Sequence, residues 1–379
     1  MIALACAHCA HLLAFDARAC PACGHGAGFE PVAGRFYALD DQGLWHDGDQ
    51  AVEDLVACDN GRLGVCNWLL RADSGRVFCD GCRHNRIIPD LTIAGNLERW
   101  TKIETAKKRT IHTLIRLGTP PAVRGPDQFG LTFDFLYDPS AEKGYAPELL
   151  TGHQAGLVTI NLIEADDVAR ERLRRDFDEP YRTLVGHFRH EIGHYYWHKL
   201  VEFTADLTPF RALFGDERAN YAAAMQGYYA SKDIPGWEDE YVSRYATMHP
   251  WEDFAETFAH YLHIVDTLAT IGSFGMVIDV APGATRGPQP VVDFDPFTAD
   301  TATLVDCWIP MAFAINAINR SMGQPDLYPF RITPQIVLKL DFVNRLLAFA
   351  AGRWTPGDRE GAGLKAMIAT LGHGVDLAE

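Results

Sequence analysis

The sequence His190-Glu191-Ile192-Gly193-His194 lies in a stretch whose apolar spacing predicts a helix over residues 179–202. Two histidines four residues apart leave the same face of an α-helix, so both imidazoles can bind one Zn²⁺. Glu191 can reach a water that the metal activates without binding the metal itself. The pattern is typical of zinc hydrolases that cleave peptide bonds, and it predicts His190 and His194 as ligands and Glu191 as the general base.

A catalytic zinc of this kind needs a third protein ligand. The metzincin continuation is absent, because Trp197 and Leu200 stand where that pattern requires glycine and histidine. His198 lies one further turn along the helix, about 6 Å per step, and is too far to bind the same ion. We expect His198 to support a ligand or to face solvent, and we expect the third ligand on another helix.

Residues 251–268 predict that other helix, with Pro250 at its start, where a missing N–H costs nothing. Glu252 and Glu256 are four residues apart and share one face. Two carboxylates beside a metal suit one ligand and one acceptor that orients a metal-bound histidine. A solvated acidic face is the alternative interpretation of this pair.

Eight of the nine cysteines fall in the first 82 residues, and the first four have the spacing of two zinc knuckles. Four thiolates at such spacings suit a closed, tetrahedral, structural Zn²⁺ site. The alternative is a disulfide framework, which requires an oxidising compartment. The predicted ligands are Cys6, Cys9, Cys20 and Cys23.

The second four cysteines are less regular, because only the last two form a knuckle. His84 or His46 could complete this site instead of a cysteine, and the two quartets could interleave. One or two structural zinc sites are therefore expected. Cys307 stands alone in an apolar stretch and is predicted to be a buried small side chain. The predicted ligands of the second site are Cys58, Cys66, Cys79 and Cys82.

Composition limits the classes of partner. The formal net charge of −16 argues against binding nucleic acid, which normally requires a basic face. The basic run at residues 99–116 is interpreted as a solvated helix face. The sequence contains no run of about 18 apolar residues, so no membrane span is expected. The first 15 residues make a poor signal peptide, since they lack a basic start, so a cytoplasmic location is expected.

The order of predicted elements indicates an α+β fold with a helical majority. We expect a small β-rich domain over residues 1–92 and a larger domain over residues 93–379. A strand at residues 157–162 is interpreted as an edge where an extended peptide could pair. The other predicted elements are helices at 97–117, 217–231, 303–320 and 334–351, a strand at 131–137, and a loop at 283–290.

The motif His190 to His194, followed by Glu252-Asp253-Phe254-Ala255-Glu256-Thr257-Phe258, resembles the gluzincin pattern in its E-x-F-A-E-x-F form. The resemblance implies that Glu252 binds zinc and that Glu256 braces a zinc-bound histidine. It also implies that Tyr245, seven residues before Glu252, stabilises the oxyanion. Nearly the whole chain resembles a family of bacterial zinc-binding metallopeptidases with an N-terminal zinc ribbon. This resemblance implies a zincin-like, mostly helical peptidase domain with a small edge-stranded sheet.

The function that these patterns predict is zinc-dependent hydrolysis of a peptide or protein substrate. One alternative is a catalytically silent or self-restrained regulatory protein that docks a partner through its zinc ribbon. Another is a zinc hydrolase that acts on amides other than peptides. The intact Glu191 disfavours the silent protein, because an inert fold does not need that carboxylate. The histidines expected to support the site or to face solvent are His153, His249, His260 and His263.

Overall fold

The computed structural model describes residues 3–126, 128–138, 140, 151–170, 183–202, 207–231, 234–278 and 291–353. The predicted loop at 283–290 and the predicted helix start at 179–182 lie outside these residues. Contacts divide the chain into two compact units. The first contains Met1–Arg116 and Pro120–Tyr195, and the second contains Leu117–Thr119 and Tyr196–Glu379. The predicted domain boundary after residue 92 stays a prediction.

The first unit begins with short antiparallel strands around the cysteines, as the predicted β-rich region requires. Strands β1 and β2 form one pair, β3 to β6 form a four-stranded sheet in sequence order, and β7 pairs with β8. The small apolar core between them is aromatic, with Phe29, Phe36 and Trp68 fully buried. The strands are β1 (Leu4–Ala5), β2 (Leu12–Leu13), β3 (Gly26–Glu30), β4 (Arg35–Leu39), β5 (Trp45–Asp47), β6 (Gln50–Val52), β7 (Leu55–Ala57) and β8 (Leu69–Arg71).

Helix α1, Asn96–Arg116, follows the cysteines almost where the sequence predicts it. The interpretation of its basic run as a solvated face is wrong, because Lys107 and Lys108 are 0% and 1% exposed. Lys107 Nζ lies 2.7 Å from Glu104 Oε1, which gives the buried cation an opposite charge. Lysines are rarely fully buried unless they are paired with an opposite charge, as Lys107 is.

A mixed four-stranded sheet completes the first unit, in the order β11-β12-β10-β9. Strands β9, β10 and β12 are parallel, whereas β11 runs antiparallel to β12. A two-residue turn at Ala155 and Gly156, with φ of 47° and 84°, folds β11 back onto β12. The strand predicted as an edge at 157–162 is therefore internal, and the described sheet ends in β11 on one side and in β9 on the other. These strands are β9 (Asn85–Ile87), β10 (Thr132–Leu136), β11 (Gly152–Gln154) and β12 (Leu157–Asn161).

Helix α2, Leu184–Trp197, carries the His-Glu-x-x-His motif and is followed by a π-helical turn, His198–Glu202. Apolar side chains anchor the motif's helix on one side, with Phe188 and Ile192 fully buried. Phe188 packs edge-on against Phe133 of β10 at a ring distance of 5.6 Å. The sheet thus fixes the rotation of α2 about its axis, and with it the direction of both motif histidines.

The second unit is helical in its described part, and its longest helix is α5. Phe254, Phe258 and Leu262 line the buried side of α5, which packs against α3, α6 and α7. Helix α3 was not expected from the sequence. The helices are α3 (Thr208–Phe214), α4 (Tyr221–Ala230), α5 (Pro250–Ser273), α6 (Thr301–Ser321) and α7 (Pro334–Ala350).

Helix α6 is long and apolar enough to cross a membrane by length and composition, although 44% of that segment is buried. The core helix of a soluble protein passes the same test. The expectation of no membrane partner stays a prediction.

Candidate metal centres and active site

The eight N-terminal cysteines gather into two groups that follow the sequence order, and the quartets do not interleave. Neither candidate histidine replaces a cysteine. The Nδ1 atom of His84 bonds the carbonyl oxygen of Leu131 at 2.9 Å, and Nε2 of His46 bonds Asp40 at 2.8 Å. The groups are Cys6, Cys9, Cys20 and Cys23, and Cys58, Cys66, Cys79 and Cys82.

The distances between sulfurs distinguish a metal site from a disulfide. The sulfurs of Cys6 and Cys23 are 3.8 Å apart, and those of Cys66 and Cys79 are 3.7 Å apart. A disulfide would require about 2.05 Å. Four sulfurs about 2.3 Å from one zinc in a tetrahedron lie about 3.8 Å from each other. The thiols therefore fit two closed tetrahedral zinc sites.

The two knuckles of the first group end in the same left-handed turn. The backbone N–H of Gly24 donates to the carbonyl oxygen of Cys20 at 2.9 Å, with φ of 80° at Gly24. The N–H of Ala10 donates to the carbonyl oxygen of Cys6 at 2.9 Å, with φ of 59° at Ala10. Glycine adopts this conformation freely, whereas alanine is strained in it.

All four cysteines of the second group are buried, and helix α1 supplies a cation beside them. Lys108 Nζ donates to the carbonyl oxygen of Val65 and to Asn67 Oδ1, both at 3.3 Å. Burial acts to lower the pKa of Lys108, yet the thiolates, led by Cys66, raise it above its ordinary value. The lysine thus offsets part of the negative charge that four thiolates bring to the site.

The motif histidines of α2 have a geometry suited to chelation. Their Nε2 atoms lie 3.1 Å apart, with the ring planes at 88°. Two nitrogens each about 2.0–2.1 Å from one zinc would be about 3.3–3.4 Å apart in a tetrahedron. Candidate ligand atoms from His190, His194 and Glu252 all lie within 4.8 Å of one another. The predicted His-His-Glu group is therefore present, and its donor set fits zinc.

Glu191 is buried and held by a histidine that the sequence reasoning missed. His187 Nε2 lies 3.2 Å from Glu191 Oε1, and His187 Nδ1 lies 2.5 Å from Glu164 Oε2. Burial acts to raise the pKa of Glu191, but the hydrogen bond from His187 and the nearby histidine charges lower it below its ordinary value. The only sequence signal for this contact was the spacing, because His187 lies four residues before Glu191 and such residues share a helix face.

The edge strand β11 lies beside the motif. The ring of His153 on β11 stacks near that of His194, with centroids 5.8 Å apart. His153 Nε2 accepts a hydrogen bond from the N–H of Gly156 at 2.8 Å, which ties the ring to the β11–β12 turn. One terminal strand of the described sheet therefore lies next to a predicted metal ligand.

Glu252 is 1% exposed and lies in the first turn of α5, where the helix dipole favours a carboxylate. Its Oε1 atom accepts a hydrogen bond from the hydroxyl of Tyr221 at 2.9 Å. Tyr221 was also missed, because no spacing rule connects it to Glu252. It is the first residue of α4, directly after the capping Asn220.

The remaining predicted residues are placed as follows. Glu256 Oε2 accepts from Ser243 Oγ at 2.6 Å. Tyr245 begins a short 3₁₀ turn, and its ring meets that of Tyr228 edge-on at 5.7 Å. The bracing role of Glu256 and the oxyanion role of Tyr245 stay predictions. His198 Nδ1 bonds Glu202 at 2.5 Å, in keeping with a role outside the ligand group.

Comparison with known proteins agrees with the zinc-binding groups described above. The model of a family described as "Putative zinc-binding metallo-peptidase" matches residues 96–346, and a zinc-ribbon domain model matches residues 3–93. Uncharacterized protein Rv2568c of Mycobacterium tuberculosis is 39% identical over 353 residues, which cover 93% of this chain and 96% of the relative. Uncharacterized protein Mb2598c of Mycobacterium bovis gives the same values. No solved structure matches the chain. The chain therefore belongs to this family of zinc-binding metallopeptidases, with a zinc-ribbon domain at its N-terminus.

Proposed function

We propose that this protein is a gluzincin-type zinc peptidase, in which His190, His194 and Glu252 hold the metal and Glu191 is the general base. The observation that carries the proposal is that three candidate ligand atoms lie within 4.8 Å of one another. Two belong to α2, which also carries the buried Glu191, and the third belongs to α5. Two structural zinc ions in the cysteine groups would complete the metal content.

The chain's own residues would divide the chemistry as follows. When bound, zinc supplies a Lewis acid that polarises a carbonyl group and makes a water molecule acidic near neutral pH. Glu191, ionised and oriented by His187, accepts the proton of the attacking water and passes it to the leaving amine. Tyr245 donates a hydrogen bond to the developing oxyanion.

Strand β11, at one end of the described sheet, is where we propose that a peptide or protein substrate binds. An extended peptide can add to β11 through main-chain hydrogen bonds. Because His153 on β11 stacks near His194, a peptide paired there would run past the predicted metal ligands. The cytoplasmic location and the docking of a protein partner on the zinc ribbon stay predictions.

The proposal is tested with the variant Glu191→Gln. A general base typically contributes about 10²–10⁴-fold, so cleavage of a fluorogenic peptide library should fall by that factor. The zinc content, measured by elemental analysis, should equal that of the wild type, because Glu191 is not a ligand. Glu202→Gln is the matched control, since that carboxylate lies on the π turn after α2 and is bonded to His198. An unchanged rate in Glu191→Gln would refute the assignment.

A further inference from the structure

The first residue of α4 is bonded to the first turn of α5. The hydroxyl of Tyr221 donates to Glu252 Oε1 at 2.9 Å. The other carboxylate oxygen, Oε2, is buried. Since Oε1 already accepts a hydrogen bond from the phenol, the phenol directs metal binding to Oε2 and favours one oxygen over two.

His249 fixes the relative position of these two helix starts. It is the N-cap of α5, where its Nδ1 accepts from the N–H of Trp251 at 3.1 Å. Its Nε2 donates to the carbonyl oxygen of Ala219 at 3.0 Å, two residues before Tyr221. One rigid ring thus joins the residues just before α4 to the first turn of α5.

Ring packing restricts the phenol further. The ring of Tyr221 meets that of His249 edge-on at 5.3 Å and that of Trp251 at 6.0 Å. The side chain of Asn220 accepts from the N–H of Ala223 at 2.9 Å and so caps α4 directly before Tyr221. The hydroxyl is therefore held on Glu252 by groups on both sides, which reduces the entropy lost when the hydrogen bond forms.

We propose that Tyr221 is a positioning residue for the metal centre, which holds Glu252 as a one-oxygen ligand through Oε2. This inference rests on the proposed metal site. Residues that hydrogen-bond a metal ligand orient it, and their loss typically weakens metal binding by about 10–100-fold. Tyr221 acts on Glu252 and not on the substrate.

The test measures zinc affinity and requires no substrate. The exchangeable zinc is removed from the full-length protein with a chelator while the cysteine groups keep theirs, and zinc is then titrated back against a competing chelator. For Tyr221→Phe we expect the Kd of this zinc to rise by about 10–100-fold. Tyr229→Phe is the matched control, because it removes a 53% exposed phenol from the same helix and should leave the Kd unchanged.

Glu252→Ala separates this inference from the function on which it depends. If Glu252→Ala abolishes zinc rebinding and Tyr221→Phe binds like the wild type, the positioning role is wrong and the metal site stands. If Glu252→Ala rebinds zinc like the wild type, the metal site and the positioning role are both wrong. Thermal unfolding of the zinc-depleted Tyr221→Phe variant should match that of the wild type. If the midpoint of Tyr221→Phe is lower and Tyr229→Phe also loses zinc affinity to the same extent, the proposal is overturned.

Discussion

Lys108 offers the sharpest test of how the second cysteine group is stabilised. Its ammonium group is buried beside four thiols and donates to Val65 and Asn67 at 3.3 Å. Lys108→Met keeps most of the side-chain volume and removes the charge and both hydrogen bonds. The variant should therefore report the electrostatic contribution with little change in packing.

The expected magnitude follows from the burial of both partners. Removing one member of a buried ion pair costs about 3–5 kcal/mol, because the opposite charge is left uncompensated. Zinc binding at such a site is coupled to folding, so this cost should lower the free energy of unfolding of the zinc-loaded protein. Because the thiolates raise the pKa of Lys108 above its ordinary value, titration of this lysine removes its stabilising effect only as the pH rises through that raised pKa.

Urea unfolding of the zinc-loaded protein, followed by circular dichroism, measures the loss directly. The rate of zinc transfer from the cysteine groups to a chelator gives a second readout and should increase. Lys102→Met on the same helix is the control, because Lys102 is 50% exposed and pairs with a 74% exposed Glu98. A surface pair of that kind contributes about 0–1 kcal/mol. Equal unfolding free energies for the two variants would refute the reasoning.

Two further predictions concern a zinc knuckle and the general base. Gly24→Ala should lower the free energy of unfolding by about 1 kcal/mol through backbone strain alone, since no atom lies within 4 Å of the new methyl group. Ala10→Gly should raise the free energy of unfolding instead. Urea unfolding measures both variants, and changes of the same sign in their free energies of unfolding would contradict the argument from the left-handed turn. His187→Leu should raise the pKa of Glu191, because it removes the hydrogen bond and the charge that lower it. The acidic limb of kcat/KM against pH should then move to higher pH, and an unmoved limb would count against this role.

The sequence predicted most helices because their signals are local. The helix expected at 251–268 is observed as Pro250–Ser273, with the proline in its first turn as expected. The helix at 97–117 is observed as Asn96–Arg116. The need for a third ligand predicted a carboxylate on the helix at 251–268, and the resemblance to the gluzincin pattern implied that it is Glu252.

The parts that sequence reasoning missed depend on residues distant in the chain. Its local sequence predicts that Lys108 is a surface residue. The thiols that lie beside it in the fold are more than 20 residues earlier in the chain. Tyr221 is 31 residues before Glu252, and no periodicity connects them. The edge strand β11 has only three residues, too few to show an alternating pattern. In each case tertiary contacts, and not local preference, determine the role.

Helix α1 has a consequence for how such proteins can be recombined. The match to the zinc-ribbon domain ends at residue 93, and the match to the metallopeptidase family begins at residue 96. Yet Cys82 Sγ lies 3.7 Å from Glu104 Oε2 of α1, and the ring of His112 lies 5.2 Å from that of Phe29. A chimera joined between residues 93 and 96 would separate α1, with the charge of Lys108, from the cysteine group and from Phe29. Exchange of the ribbon between relatives should therefore succeed only when α1 is exchanged with it.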